Sequence, residues 1–182
     1  HMRLLSKIKS LFSRASTRPT KHLVRATPIE HPVLGSLVPH DTFADSLSGQ
    51  IKCGVRQVDL LVSPDDKTIE AALKLAVGIV APLQKLDFKC KNLIADEFLD
   101  SYNSGWRFGQ VAQQDGTFSS FEKPLLTREQ FRENLKLNSI EASGELMLIF
   151  WYGDNDMFWG HSLEVTSFDG PAFKDTHASM AG

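Results

Sequence analysis

The sequence predicts an α+β fold in which an antiparallel sheet of about six strands carries its helices on one face. Two observations favour this class. Short apolar runs bounded by turn residues lie at both ends of the folded region, and segments with helical periodicity lie between them. Connections of hairpin length join the strands within each group, which is typical of antiparallel pairing. The predicted order is therefore βββ-αα-α-βββ, with two meanders and the helices between them.

The composition is that of a soluble globular protein. The chain has 182 residues, of which 42% are hydrophobic and 23% are charged. The longest apolar run, at 146–152, is far shorter than the roughly 20 residues that a membrane-spanning helix requires. Cys53 and Cys90 form neither a C-x-x-C motif nor a disulfide framework, so we expect a protein of the reducing cytoplasm.

The first 32 residues differ in composition from the rest. Residues 1–15 form a predicted amphipathic basic helix, whose apolar residues recur at helical spacing opposite Lys and Arg. The polar segment 16–32 carries three prolines and predicts a linker to a single domain at 33–182. A helix like that at 2–14 binds an anionic membrane surface, a partner groove or its own domain. A membrane-surface adaptor at the inner membrane is therefore one alternative function.

The charges are divided between this N-terminal segment and the predicted domain. From Arg3 to Arg25 there are seven Lys or Arg residues and no acid, the first carboxylate being that of Glu30. Residues 26–182 hold the other thirteen basic residues and all twenty-two acidic ones, which gives a net charge of −9. This charge argues against a nucleic acid as partner of the folded body and favours a basic protein.

Three strands are predicted first, at 33–38, 49–53 and 55–63, with Gly54 as a turn or bulge between the last two. The period then changes to that of a helix. Ser63 is the predicted N-cap, with Pro64 at the first helical position and Asp66 closing a capping box. The predicted buried stripe of this helix consists of Ile69, Leu73, Ala76, Val77 and Val80.

Pro82 should kink this first helix or end it at Ala81, because proline lacks the amide donor and clashes with the preceding turn. A second helix is predicted at 86–102. Residues 105–121 are polar, contain glycine and hold scattered aromatic residues, which predicts an irregular or partly extended loop.

Thr127 and Gln130 indicate another capping box, which opens a short helix. This helix should run through Leu135. The last three strands are predicted at 136–142, 145–152 and 159–166. Their turns are Ser143-Gly144 and the polar residues 153–156.

The candidate site is the sequence W-Y-G-D-N-D-M-F-W-G-H-S-L-E-V at 151–165. Across a tight hairpin, Asp154 or Asp156 should approach His161, and alternation would place Trp159 and His161 on one face. One hypothesis is that this segment binds a basic protein partner. Its candidate binding residues are then Trp151, Tyr152, Asp154, Asp156, Phe158, Trp159, His161 and Glu164.

Two chemical interpretations of this segment compete with partner binding. Asp154, Asp156 and His161 are residue types that bind a divalent metal, although one hairpin leaves the coordination shell incomplete. Alternatively, His161 is a general base oriented by an aspartate. A purely structural interpretation also stands, since D-N-D is common in turns and a His among aromatic residues is often a hydrogen-bonded core residue.

The sequence lacks the motifs of familiar enzymes. It contains no G-x-G-x-x-G, no Walker-type phosphate loop and no nucleophile motif. We therefore expect no cofactor and no resident metal, and we favour a non-enzymatic protein-binding module over a small metal-dependent or acid-base enzyme.

Residues of the same segment resemble a bacterial family known as domain of unknown function 2262. The resemblance rests on D-N-D-M-F-W-G-H-S-L-E-V at 154–165, on H-P-V-L-G-S-L at 31–37 and on the M-A-G at 180–182. It implies a small bacterial cytosolic protein, and it transfers no catalytic residue. In size and acidity the chain is also similar to the immunity proteins that neutralise bacterial toxins.

Overall fold

The computed structural model describes residues 25–182. The predicted helix at 1–15 and most of the predicted linker lie outside these residues. In chain order the elements are β1 (Ile29–His31), β2 (Gly35–Pro39), β3 (Leu47–Cys53), β4 (Arg56–Ser63), α1 (Ile69–Val80), α2 (Leu83–Ser101), β5 (Phe108–Ala112), β6 (Phe118–Glu122), α3 (Arg128–Asn134), β7 (Lys136–Ser143), β8 (Met147–Gly153), β9 (Ser162–Ser167) and β10 (Thr176–Ala181).

The described residues fold as an α+β domain around one large sheet. This sheet has eight strands in the order β1-β2-β3-β4-β7-β8-β9-β10, and every pair is antiparallel except β4 with β7. The two long helices pack on one face, α1 against β3, β4 and β7, and α2 against β9 and β10. Their buried side chains form one hydrophobic core with the inward residues of the strands. The α+β class and the mostly antiparallel sheet are therefore confirmed.

The strand count and one pairing differ from the prediction. The sheet has eight strands rather than about six, because β1 and β10 add an edge strand at each side. β1 is only three residues long, and β10 has the sequence T-H-A-S-M-A, which lacks the alternation of large apolar and polar residues that signals a strand. Because β4 and β7 run parallel, the chain between them is a long crossover, which contains α1, α2 and α3.

The predicted start of the first helix was wrong. Ser63 is the last residue of β4, and its carbonyl accepts the backbone N–H of Gly144 (2.9 Å). Asp65 then adopts a left-handed conformation (φ 53°), which interrupts any helix at that point. The N-cap is Thr68, whose hydroxyl accepts the N–H of Ala71 (3.2 Å).

The buried face of α1 is also rotated relative to the prediction. Of the predicted stripe only Ala76 is fully buried, and the other four residues pack partly against the core. The fully buried residues are Ala72, Leu75, Ala76 and Ile79.

Two other helix signals are confirmed. Pro82 separates α1 from α2, as expected from its missing amide donor. Thr127 and Gln130 form the predicted capping box at α3, with Thr127 N–H donating to Gln130 Oε1 (2.9 Å) and Gln130 N–H donating to Thr127 Oγ1 (3.3 Å).

Residues 105–121 are more regular than predicted. A π-helical turn at Tyr102–Trp106 extends α2, and the antiparallel hairpin β5–β6 follows as a separate two-stranded sheet. Most residues of this hairpin are exposed, so the burial pattern that usually reveals strands is missing from its sequence.

A buried polar cluster joins α2 to β8. The carboxylate of Asp87 accepts the hydroxyl of Tyr152 (2.8 Å) and pairs with Lys91 and Arg56 (3.4 Å each). Cys90 lies fully buried on the same helix. Burial raises the pKa of the Cys90 thiol and that of the Tyr152 hydroxyl well above their ordinary values.

These raised pKa values make a prediction about alkaline stability. Above roughly pH 9 the unfolded chain ionises Cys90 while the native chain keeps it neutral, so the unfolding free energy should fall with rising pH, by up to ~1.4 kcal/mol per pH unit for each such group. Urea unfolding between pH 6 and 10.5 measures this slope. Cys90→Ala should reduce this slope. The stability that the variant loses at pH 6, where the thiol is neutral in both states, measures the separate cost of the cavity left by the missing sulfur. An unchanged slope in the variant would contradict the assignment.

Candidate functional site

The segment predicted as a tight hairpin turn is an eight-residue loop at 154–161. β9 begins at Ser162, so Trp159 and His161 lie in the loop and not on a strand face, which corrects the prediction. Two successive turns shape the loop: Met157 N–H donates to the carbonyl of Asp154 (3.1 Å), and His161 N–H donates to that of Phe158 (3.2 Å). The D-N-D sequence is therefore turn-forming, as its composition suggests.

Asp154 holds this loop together from inside. The side chain is buried, and its two carboxylate oxygens accept the backbone N–H groups of Asp156 (3.1 Å) and Phe158. A carboxylate that accepts backbone amides is a strong local constraint, because each bond is charge-assisted. In this structure the role of Asp154 is to fix the shape of the loop.

Asp156 points the other way and is exposed. Its side chain retains 76% of its accessible surface. Its carboxylate lies 3.1 Å from the Nζ of Lys123, the residue that follows β6. Asn155 beside it donates to Asn134 Oδ1 (2.7 Å) at the end of α3. These contacts attach the tip of the loop to the hairpin and to α3.

Two of the predicted binding aromatics lie in the core. Phe158 is fully buried and makes edge-on contacts with four other rings, those of Phe98, Tyr102, Trp106 and Phe131, at centroid distances of 5.4 to 6.1 Å. Tyr152 is buried against Asp87. In this conformation neither side chain is available to a partner.

His161 is half-buried and oriented by two contacts. Its Nδ1 lies 2.6 Å from the carbonyl oxygen of Phe158, which can only accept, so Nδ1 carries a proton. The ring also meets Trp106 edge-on at a centroid distance of 5.4 Å. The imidazole therefore packs against the Trp106 ring.

The two aspartates and His161 are each engaged with a different group. Asp154 binds backbone amides, Asp156 pairs with Lys123 and His161 binds a carbonyl. Across the part of the chain that the structure describes, no three His, Cys, Asp or Glu side chains are grouped so as to hold a metal ion.

An open aromatic groove lies beside the loop. It has a volume of about 400 Å³ and is formed where the end of α2, the π-helical turn, the start of β5 and the 154–161 loop meet. Trp159 and Phe108 are 45% and 46% exposed there. The residues that line this groove, called the aromatic groove below, are Ser101, Ser104, Gly105, Trp106, Phe108 and Trp159.

Trp159 is held rigidly in the groove wall. It adopts a left-handed conformation (φ 58°), which is unusual for a large side chain, and its indole N–H donates to the carbonyl of Trp106 (3.1 Å). Its ring packs on Phe121 at a centroid distance of 5.9 Å. Gly109 makes room for both rings, since a Cβ there would lie 2.5 Å from Trp159 and 2.4 Å from Phe121.

Two acidic residues of α2 precede the groove residues by one helical turn. Glu97 comes four residues before Ser101, and Asp100 comes four residues before Ser104, so helical spacing places both on the helix face that leads to the groove. Both are exposed. Within residues 25–182 neither pairs with a Lys or Arg, whereas nearby Asp96 pairs with Arg128.

Sequence reasoning found Trp159 but missed the rest of the groove. Trp106 and Phe108 precede Trp159 by about fifty residues, and only the fold brings them together. One signal in the sequence could have indicated them: they are aromatic residues in a polar, glycine-containing stretch that lacks the periodicity of a core element. The remaining two candidates, Trp151 and Glu164, lie opposite each other on β8 and β9, on the sheet face away from the helices.

The comparison with protein families agrees with the resemblance noted in the sequence. The model of domain of unknown function 2262 (DUF2262), described as an uncharacterized protein conserved in bacteria, matches residues 31–176. The chain belongs to this family. The match includes every element of the DUF2262 domain from β2 to β9, and hence the whole aromatic groove. No curated protein and no solved structure matches the chain significantly. In the described part of the DUF2262 chain, no helix is both long and apolar enough to span a membrane.

The different roles of the two aspartates predict different mutational effects. Asp154→Ala leaves two backbone amides of the loop without their acceptor, and we expect a loss of about 1–3 kcal/mol in unfolding free energy. Asp156→Asn keeps a residue type that tolerates the left-handed backbone at this position (φ 62°), removes an exposed ion pair and should cost no more than about 1 kcal/mol. Chemical denaturation of the two variants, which each replace an aspartate and lie only two positions apart, measures the difference. Equal losses would contradict the structural role of Asp154.

Proposed function

We propose that this DUF2262 protein is a non-enzymatic binding module that takes a basic side chain of a protein partner into the aromatic groove. The observation that carries the proposal is the groove itself, in which Trp159 and Phe108 keep nearly half of their surface exposed while the Trp159 indole is held by the carbonyl of Trp106. Exposed aromatic residues on rigid supports are typical anchors of protein interfaces.

The chemistry of the groove favours a cationic side chain. The face of an indole attracts Arg and Lys, and the helix face that leads to the groove adds the carboxylates of Glu97 and Asp100. The chain's own Arg107 guanidinium already lies over the Phe108 ring at 4.2 Å, so we assign the cation of the partner to the indole of Trp159. A basic partner also suits the net charge of −9 on residues 26–182.

The surroundings of the groove favour a protein over a small molecule. Val111, Phe118 and Leu125 are each more than half exposed on or just after the β5–β6 hairpin. Phe118 pairs with Ala112 and therefore shares the hairpin face of Phe108, so an exposed apolar surface continues beyond the groove on that face, as in the core of a protein interface. An immunity-like role, in which a small acidic protein neutralises a basic toxin by binding it, is one form of this proposal.

The arrangement of His161, Asp154 and Asp156 supports binding over catalysis. Each of the three side chains is engaged with a different neighbour, as described above, and the aromatic groove is lined by hydroxyl, glycine and aromatic residues. The membrane-surface alternative depends on residues 2–14, which lie outside the described residues, and it stays a prediction.

The groove predicts how a cationic probe should bind. Titration of the full chain with N-acetyl-arginine amide, followed by tryptophan fluorescence, should give saturable binding, and the neutral N-acetyl-norleucine amide should bind at least tenfold more weakly. Trp159→Leu should weaken the binding of the arginine probe by at least tenfold, or ~1.4 kcal/mol. The double variant Glu97→Gln/Asp100→Asn should weaken it by a smaller factor.

The matched control is Phe43→Leu, which changes an exposed aromatic residue that does not line the groove. Circular dichroism and thermal unfolding of each variant show that it is folded. Equal binding of the neutral and cationic probes, or an unchanged affinity in Trp159→Leu, would overturn the proposal. Partner proteins captured from the native bacterium can then be compared between the full chain, Trp159→Leu and Phe43→Leu.

A further inference from the structure

The large sheet presents a second surface, on the face that the helices leave open. The strand register places two neighbouring rows of side chains there. One row runs from Asp59 through Ser139 and Trp151 to Glu164. The adjacent row contains Leu61, Glu141, Ile149 and Thr166.

These rows combine three carboxylates with three large apolar side chains. Directly opposed side chains on neighbouring strands lie about 5 Å apart, so the six residues form one patch. We call this patch the acidic face; it consists of Asp59, Leu61, Glu141, Ile149, Trp151 and Glu164. Asp59 is exposed, and the other five residues are half-buried.

The carboxylates of the acidic face are oriented but not neutralised. Asp59 accepts Gln50 Nε2 (2.8 Å), and Glu164 accepts the Ser179 hydroxyl (2.6 Å). In the described residues none of the three acids is in an ion pair, and neither row contains a Lys or Arg. Neutral donors therefore hold two of the three carboxylates, those of Asp59 and Glu164, without neutralising them.

The ionised form of the central carboxylate, that of Glu141, is disfavoured in the free protein. Burial, together with the neighbouring carboxylates of Asp65 and Glu164, raises the pKa of Glu141. The charged form of Glu141 is therefore disfavoured in the native state, and the unfolding free energy contributed by this residue falls as the pH rises through its native pKa. A cation bound at the face would relieve this cost.

We propose that the acidic face is a second docking surface, which binds a lysine- or arginine-rich segment of a protein partner. Charge complementarity selects the occupant, because the patch carries three like charges and repels nucleic acid. The apolar residues between the acids suit the aliphatic stems of Lys and Arg, which bury their methylene groups while the charged ends stay in water. This surface is separate from the aromatic groove and does not require that the groove binds anything.

The test uses the full chain labelled with ¹⁵N and titrated with an octalysine peptide. We expect the largest amide shift changes in β4, β7, β8 and β9, and weaker binding at higher salt. Glu141→Gln/Glu164→Gln should weaken octalysine binding by at least tenfold. Because it removes the two interacting carboxylates, this variant should also unfold at a higher temperature than the parent, which excludes misfolding as the cause of the lost affinity.

The matched control is Glu133→Gln/Glu145→Gln, which removes the same charge from exposed positions outside the acidic face. It should change the affinity by less than twofold. Equal weakening by both double variants, or shift changes centred on the groove, would overturn the proposal. A tenfold gain in octalysine affinity on changing Lys7, Lys9 and Arg14 to Gln would also overturn it, since the chain's own N-terminal segment would then be the occupant.

Discussion

The parallel pairing of β4 with β7 is the constraint on which the rest of this structure depends. Two parallel neighbours cannot be joined by a tight turn, so the chain must leave the sheet after Ser63 and return at Lys136. Everything inserted between them lies in that crossover, including α1, α2, the β5–β6 hairpin and α3. The helices α1 and α2 cover one face of the sheet as a consequence, and within residues 25–182 no helix covers the other face.

Both candidate surfaces follow from this arrangement. The aromatic groove forms where the crossover passes the 154–161 loop, so Trp106 and Phe108 from the crossover meet Trp159 from the final strands. The acidic face forms from the outward residues of β4, β7, β8 and β9, on the side of the sheet away from α1 and α2. The 151–165 segment contributes to both surfaces and to the core between them, since Trp151 and Glu164 point outward while Tyr152 and Phe158 point inward.

The sequence predicted what local interactions determine. The α+β class, the helix break at Pro82, the turn at Gly54 and the Thr127–Gln130 capping box all depend on residues close together in the chain, and all are present. The Ser63 cap failed because β4 pairs with β7 through this residue, a long-range interaction that outweighs the local signal. The aromatic groove was only partly predictable, because no local pattern indicates that Phe108 will lie beside Trp159.

Gly109 has a consequence for the motions of the molecule. Because Gly109 has no side chain, the indole of Trp159 packs directly against the β5–β6 hairpin. The hairpin and the 154–161 loop therefore share a closely packed contact surface. Displacement of one segment must be followed by the other, and an occupant of the groove would damp the fluctuations of both. Slower amide hydrogen exchange should therefore spread from Trp159 into β5 and β6, even at residues that the occupant does not touch.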